Sequence, residues 1–149
     1  MFGLSRLSFE RLDGVHPQLV FILQEVLSTC VIDFAIPEFG GVRSDETQNK
    51  MFERGSSKSD GYVVKSRHQI CESTGYGMAV DIVPLVNNKG TYDPVPVAIA
   101  GSAIMTLGNA LYRNQIVDYK MRWGLTFGSN EFKGWDGCHF EFIEHKKNV

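Results

Sequence analysis

Gly134-Trp135-Asp136-Gly137-Cys138-His139-Phe140-Glu141-Phe142 is a tight turn carrying an acid that runs straight into a strand carrying a histidine. Glu141, two residues beyond His139, points to the same face of that strand. Upstream, Met78-Ala79-Val80-Asp81-Ile82-Val83 opens a strand reaching Leu85, and its alternation sets Asp81 on one face with Ala79 and Val83. Val31–Ile36 reads as a further strand stopped by Pro37, and Leu125–Phe127 as another. Between them lie helical patterns. Pro17 opens one over 17–29, with Leu19, Leu23, Val26 and Cys30 along one stripe. Gly40-Gly41 makes a turn, and Ser44 caps a second helix over 45–54 that ends at Gly55. Val97, Ala100, Ile104, Leu107 and Leu111 mark a third, long and amphipathic. The polar, glycine-containing stretch 55–77 is a long loop of the kind that carries function. These patterns imply an α+β fold with a small antiparallel sheet flanked by helices.

At 149 residues, with no repeat and no composition break, the chain is expected to be one domain over 1–149 and a monomer. Apolar content of 43% and charged content of 21% are ordinary for a globular protein. A formal charge of −2, and a basic ending of only Lys146-Lys147, leave no field to attract nucleic acid. No apolar run approaches a membrane span, so no membrane anchor is expected. The start Met1-Phe2-Gly3-Leu4-Ser5-Arg6 lacks a signal-peptide pattern. Cys30, Cys71 and Cys138 are odd in number and share no CxxC spacing, which argues against a disulfide framework.

A carboxylate in a strand as apolar as 78–83 is costly unless paired with an arginine or bound to a metal. His139 alone reads as a satisfied core histidine and His68 alone as a solvated loop residue. Taken together, His68, Asp81 and His139 form a three-ligand N/O set, the pattern of a working zinc ion that keeps one position for water. Asp136, three residues before His139, is placed to act as the base such a site needs. Thiolates offer two rival arrangements: His68 and Cys71 with Cys138 and His139 as a closed structural zinc site, or Cys71 or Cys138 as a nucleophile. Trp123, Phe127, Trp135, Phe140 and Phe142 read mainly as core, with Trp135 kept as a cleft wall. His16 before Pro17 reads as a helix-entry residue.

Ser66-Arg67-His68, Gly77-Met78-Ala79-Val80-Asp81 and Trp135-Asp136-Gly137-Cys138-His139 together resemble the VanY/VanX-like zinc D-Ala-D-Ala carboxypeptidase family. The nearer branch is the phage endolysin L-alanyl-D-glutamate endopeptidases. That family's pattern is S-x-H-x-x-G-x-A-x-D followed by (D/E)-x-x-H, and Gly41-Val42-Arg43-Ser44 with Gln48 also resembles its helix entry. The resemblance implies a Hedgehog/D-Ala-D-Ala peptidase-like fold and hydrolysis of the peptidoglycan stem peptide at the L-Ala–D-Glu bond. It further implies Zn2+ on His68, Asp81 and His139, Asp136 as general base, and Arg43 at the developing oxyanion. Ser66 and Gln48 would orient substrate or support the site, and Glu141 would fix the His139 ring. The setting implied is a lysis protein held in the host cytoplasm until the cell wall is attacked.

One departure stands out. His68 and Asp81 are thirteen positions apart where the family has seven, with Gln69–Thr74 as the extra length. Loop extension costs little, about 0.6 kcal/mol per doubling, so the extension is expected to bulge outward. Two other readings stay open: carboxypeptidase action of the same family, and a non-catalytic metal-binding module of the Hedgehog kind, which the stretched spacing favours.

Overall fold

The computed structural model describes residues 1–128 and 136–143. Helix α1 (Arg6–Arg11) begins on Ser5, whose hydroxyl accepts from the Ser8 amide. Helix α2 (Pro17–Thr29) begins on His16, whose ring accepts from the Gln18 amide, with the proline at the first helical position. Helix α3 (Asp45–Glu53) is capped by Ser44 and carries Asp45 and Glu46 in its first turn, where the helix dipole favours negative charge. Gly55 follows at φ 77°, a value open to glycine at no steric cost.

Among the described residues the strands form two antiparallel sheets of three rather than one. In the first, β1 (Asp33–Ala35) pairs with β3 (Val83–Val86), which pairs with β4 (Lys89–Gly90). In the second, β2 (Ala79–Asp81) and β5 (Lys120–Trp123) flank β6 (His139–Ile143). The apolar run expected as a single strand from Met78 to Leu85 is therefore divided at Ile82, its halves serving different sheets. Helix α4 (Pro94–Arg113) packs across β5 and α2. Leu19, Leu23, Phe34, Ile104, Phe140 and Phe142 meet in the core. By length and composition alone α4 is apolar enough to cross a membrane, contrary to the expectation that no run approaches that length. In the fold its Val97, Ala100 and Ile104 are buried against protein.

Leu125–Phe127 is not a strand. Gly124–Thr126 is a turn of 3-10 helix, and the preceding Lys120–Trp123 is the strand. The reason lies in the register: Trp123 already pairs with Phe140, so one more pair would exhaust β6. The chain must turn there. The loop 55–77 holds no helix or strand and is tied down by isolated bridges from Gly77 to Val15 and Ile70.

Candidate metal centre

Strand register builds most of the site. Asp81 lies directly opposite His139, and Ala79 opposite Glu141, while Val80 and Phe140 pair on the other face. One face of β6 therefore feeds Phe140 and Phe142 to the core, and the other presents His139 and Glu141. A slip of one residue would exchange the two sets, so burial of the phenylalanines also fixes the position of the ligands. The remaining histidine arrives from the long loop. His68 Nδ1 lies 2.8 Å from the Gly41 carbonyl, which anchors the ring.

Three lone-pair atoms converge. His68 Nε2 is 3.1 Å from His139 Nδ1 and 3.2 Å from Asp81 Oδ1, and His139 Nδ1 is 3.1 Å from the same oxygen. Among the described residues this is the one group of three such side chains able to hold a metal. The far ring nitrogens are already engaged, His68 Nδ1 by the Gly41 carbonyl and His139 Nε2 by Glu141 Oε2 at 2.7 Å. Those acceptors hold each N–H on the outer nitrogen and turn the inner nitrogen, lone pair free, toward the centre. A tetrahedral zinc with ligands at about 2.0–2.1 Å has ligand–ligand edges of about 3.3 Å. The observed triangle fits that demand closely, so the three atoms could hold such an ion once the proton they share has left.

Around the triangle the charges are arranged in support. Arg43, buried, donates from Nη2 to Asp81 Oδ2 at 2.5 Å, from Nη1 to Gln48 Oε1 and from Nε to the Phe39 carbonyl. The arginine partner and a metal-site role, alternatives at the level of sequence, are thus compatible: Oδ2 accepts from Arg43 and Oδ1 faces the two imidazoles. Burial disfavours the Asp81 carboxylate, but the charges and hydrogen bonds of His68 and His139 outweigh it and hold the group ionised, well below the usual carboxylate range. Asp136 faces the same cavity of about 580 Å³ as Arg43, His68, Asp81 and His139. Burial first, and then the Asp81 charge, push its pKa up, against the pull of His139, His68 and Arg43. A carboxylate so placed has a raised affinity for a proton, which suits a base. Gly124 makes that placement possible, since a Cβ there would lie 2.0 Å from the Asp136 carbonyl oxygen.

The other expected residues divide. Ser66 lines the cavity and its hydroxyl accepts from the His68 amide. Gln48 is fully buried away from solvent, bonded to Arg43, Ser57 and the Ser59 carbonyl, and so supports the arginine. Trp135 lies outside the described residues. Of the thiols, neither Cys71 nor Cys138 joins the ligand group. Burial, followed by the charges of Asp81 and Asp136, pushes the Cys138 thiol up to about 11, which leaves it protonated and poorly nucleophilic. Phe127, expected as core, is only partly buried, lines the cavity and sits with its ring centroid 5.4 Å from that of His139. Arg122 carries no local sequence signal and joins the site only through strand register: it lies opposite Glu141 and donates to it.

Two consequences are measurable. In the metal-free protein burial lowers the His139 pKa, but hydrogen bonds to Asp81 and Glu141 outweigh it and raise the value to about 9. The folded value exceeds the unfolded one of about 6.5, so this proton stabilises the metal-free fold fully below that pH and ceases to as pH rises through about 9. The same proton must leave before the inner nitrogen can bind a cation. Apparent zinc affinity, measured by chelator competition, should therefore climb roughly tenfold per pH unit from pH 6.5 and level off near 9. A flat profile would exclude His139 as a ligand. Separately, a Cβ at Gly41 would lie 1.9 Å from the Arg11 carbonyl oxygen. Gly41→Ala should cost about 2 kcal/mol and lower Tm by roughly 4–8 °C, displacing the carbonyl that anchors His68.

A family model described as phage L-alanyl-D-glutamate peptidase matches residues 1–143. Among solved structures, the chain is similar to an L-Ala D-Glu endopeptidase, ChiX, of Serratia marcescens, with a TM-score of 0.68 and 27% identity over 91% of this chain and 86% of that one. No curated protein matches the chain.

Proposed function

The chain belongs to the phage L-alanyl-D-glutamate peptidase family, and on that premise we propose that it cleaves its peptidoglycan substrate with a zinc ion held by His68, Asp81 and His139. The observation that carries this reading is the triangle of ligand atoms with edges of 3.1–3.2 Å, each imidazole fixed from behind by a carbonyl or a carboxylate. The extension leaves His68 within reach of Asp81, and it is the family match that favours a peptidase over a non-catalytic metal-binding module.

When bound, such an ion supplies Lewis acidity, polarising a carbonyl and acidifying water. The chain's own groups do the rest. Asp136 takes the proton of the attacking water and returns it to the leaving amine of D-Glu, a cycle that a carboxylate of raised proton affinity can complete. Arg43 orients Asp81 through its hydrogen bond to Oδ2, and its fixed charge on the cavity wall favours negative charge developing on the scissile carbonyl oxygen. Ser66 holds the His68 backbone in place beside the same cavity.

As its biological setting we propose a monomeric lysis enzyme held in the host cytoplasm until it attacks the wall. Zinc-loaded protein added to outer-membrane-permeabilised cells should clear their turbidity, and a chelator should stop it. Mass spectrometry of the released muropeptides should find a newly exposed D-Glu amine. Cleavage at a terminal D-alanine instead would replace the endopeptidase with a carboxypeptidase, and no clearing at all would remove the catalytic assignment.

A further inference from the structure

We propose that Arg122 is a positioning residue for the metal centre, acting through Glu141 on His139. The proposal rests on the reading that this cluster holds a cation.

Three contacts form a chain. Arg122 donates to Glu141 Oε1 from Nε at 2.8 Å and again from Nη2. The other carboxylate oxygen, Oε2, is 2.7 Å from His139 Nε2, and His139 Nδ1 faces Asp81 and His68. Arg122 and Glu141 are direct cross-strand partners on β5 and β6, so the sheet itself sets their distance. With two donors on Oε1, the carboxylate cannot rotate without breaking both bonds, and Oε2 stays trained on the imidazole. The guanidinium is seated over the Phe127 ring, 4.9 Å from its centroid, and that ring also borders His139.

The asymmetry of burial matters. Glu141 is nearly inaccessible, with 4% of its side chain exposed, while Arg122 is 49% exposed at the cavity wall. A half-exposed ion pair contributes little stability by itself. What it fixes is a ring angle and, once the ring is neutral, a tautomer with the proton on Nε2 and the lone pair on Nδ1. Substitutions of residues that orient a ligand from behind typically weaken metal binding 10- to 100-fold.

The test uses the full chain and zinc alone. Arg122→Met should weaken zinc binding by about tenfold in chelator competition. In 15N–1H spectra of the metal-free protein it should move the His139 ring signals away from those of the wild type. Added to Glu141→Gln, it should have almost no further effect, because the two residues act in series. If Arg122→Met does not fold, Arg122→Gln carries the same expectations. Unchanged zinc affinity with unchanged ring signals, or effects of the two substitutions that simply add, would overturn the proposal. A wild type that binds no zinc would instead defeat the metallopeptidase reading, and the ring signals would still decide the link from Arg122 to His139.

Discussion

Asp81→Ala is expected to abolish peptidoglycan cleavage and to weaken zinc binding beyond the roughly 100-fold that supporting residues command. The substitution removes a ligand and also strands a charge. Arg43, with 8% of its side chain exposed, would lose its carboxylate partner and keep only Gln48 and the Phe39 carbonyl. Breaking a buried pair costs about 3–5 kcal/mol. With Asp81 20% exposed, the lower end of that range or less applies. Denaturant unfolding of the metal-free protein should register that loss. The double variant Arg43→Met with Asp81→Ala should regain much of the stability and none of the activity, because it removes the stranded charge without restoring the ligand. An Asp81→Ala protein that still releases muropeptides would eliminate the proposed centre.

Asp136→Asn should leave zinc affinity intact while kcat on soluble muropeptides falls by about 10²–10⁴, with little change in KM. Asp136 faces the cavity without belonging to the ligand triangle, so its loss should spare the metal and remove the proton acceptor. The isosteric amide keeps the turn, whose geometry rests on the Asp136 carbonyl accepting from the His139 amide. Activity within tenfold of the wild type would place the base elsewhere. Loss of zinc together with activity would mean that Asp136 is itself a ligand.

What could be read from the sequence was whatever has a local cause. Ser44, Pro17 and the 17–29 stripe announce helices because caps and periodicity act within a few residues. Asp81 and His139 drew notice because a polar residue on an apolar strand needs a reason to be there, but it was the resemblance of their motifs to a known family that joined them to His68. Arg122 could not draw notice, since its importance arises only when β5 and β6 pair and set it across from Glu141. The same pairing turned the apolar stretch 125–127 into a turn, against its local preference. The divided strand at Ile82 was hidden for a similar reason: both halves are apolar, and only their partners differ. Gln48, expected to orient substrate or support the site, is held inward by Ser57 and Ser59, contacts that no spacing rule supplies.

The face-to-face placement of Asp81 and His139 on paired strands has a thermodynamic corollary. In zinc fingers the ion creates the fold, so stripping it unravels the chain. Here the hydrophobic interior and the strand pairing assemble the scaffold, so a cation would enter a prepared seat. Extraction by a chelator should therefore give an inert but intact protein, ready to be switched on again by replenishment. On this reading metal supply would gate activity independently of folding.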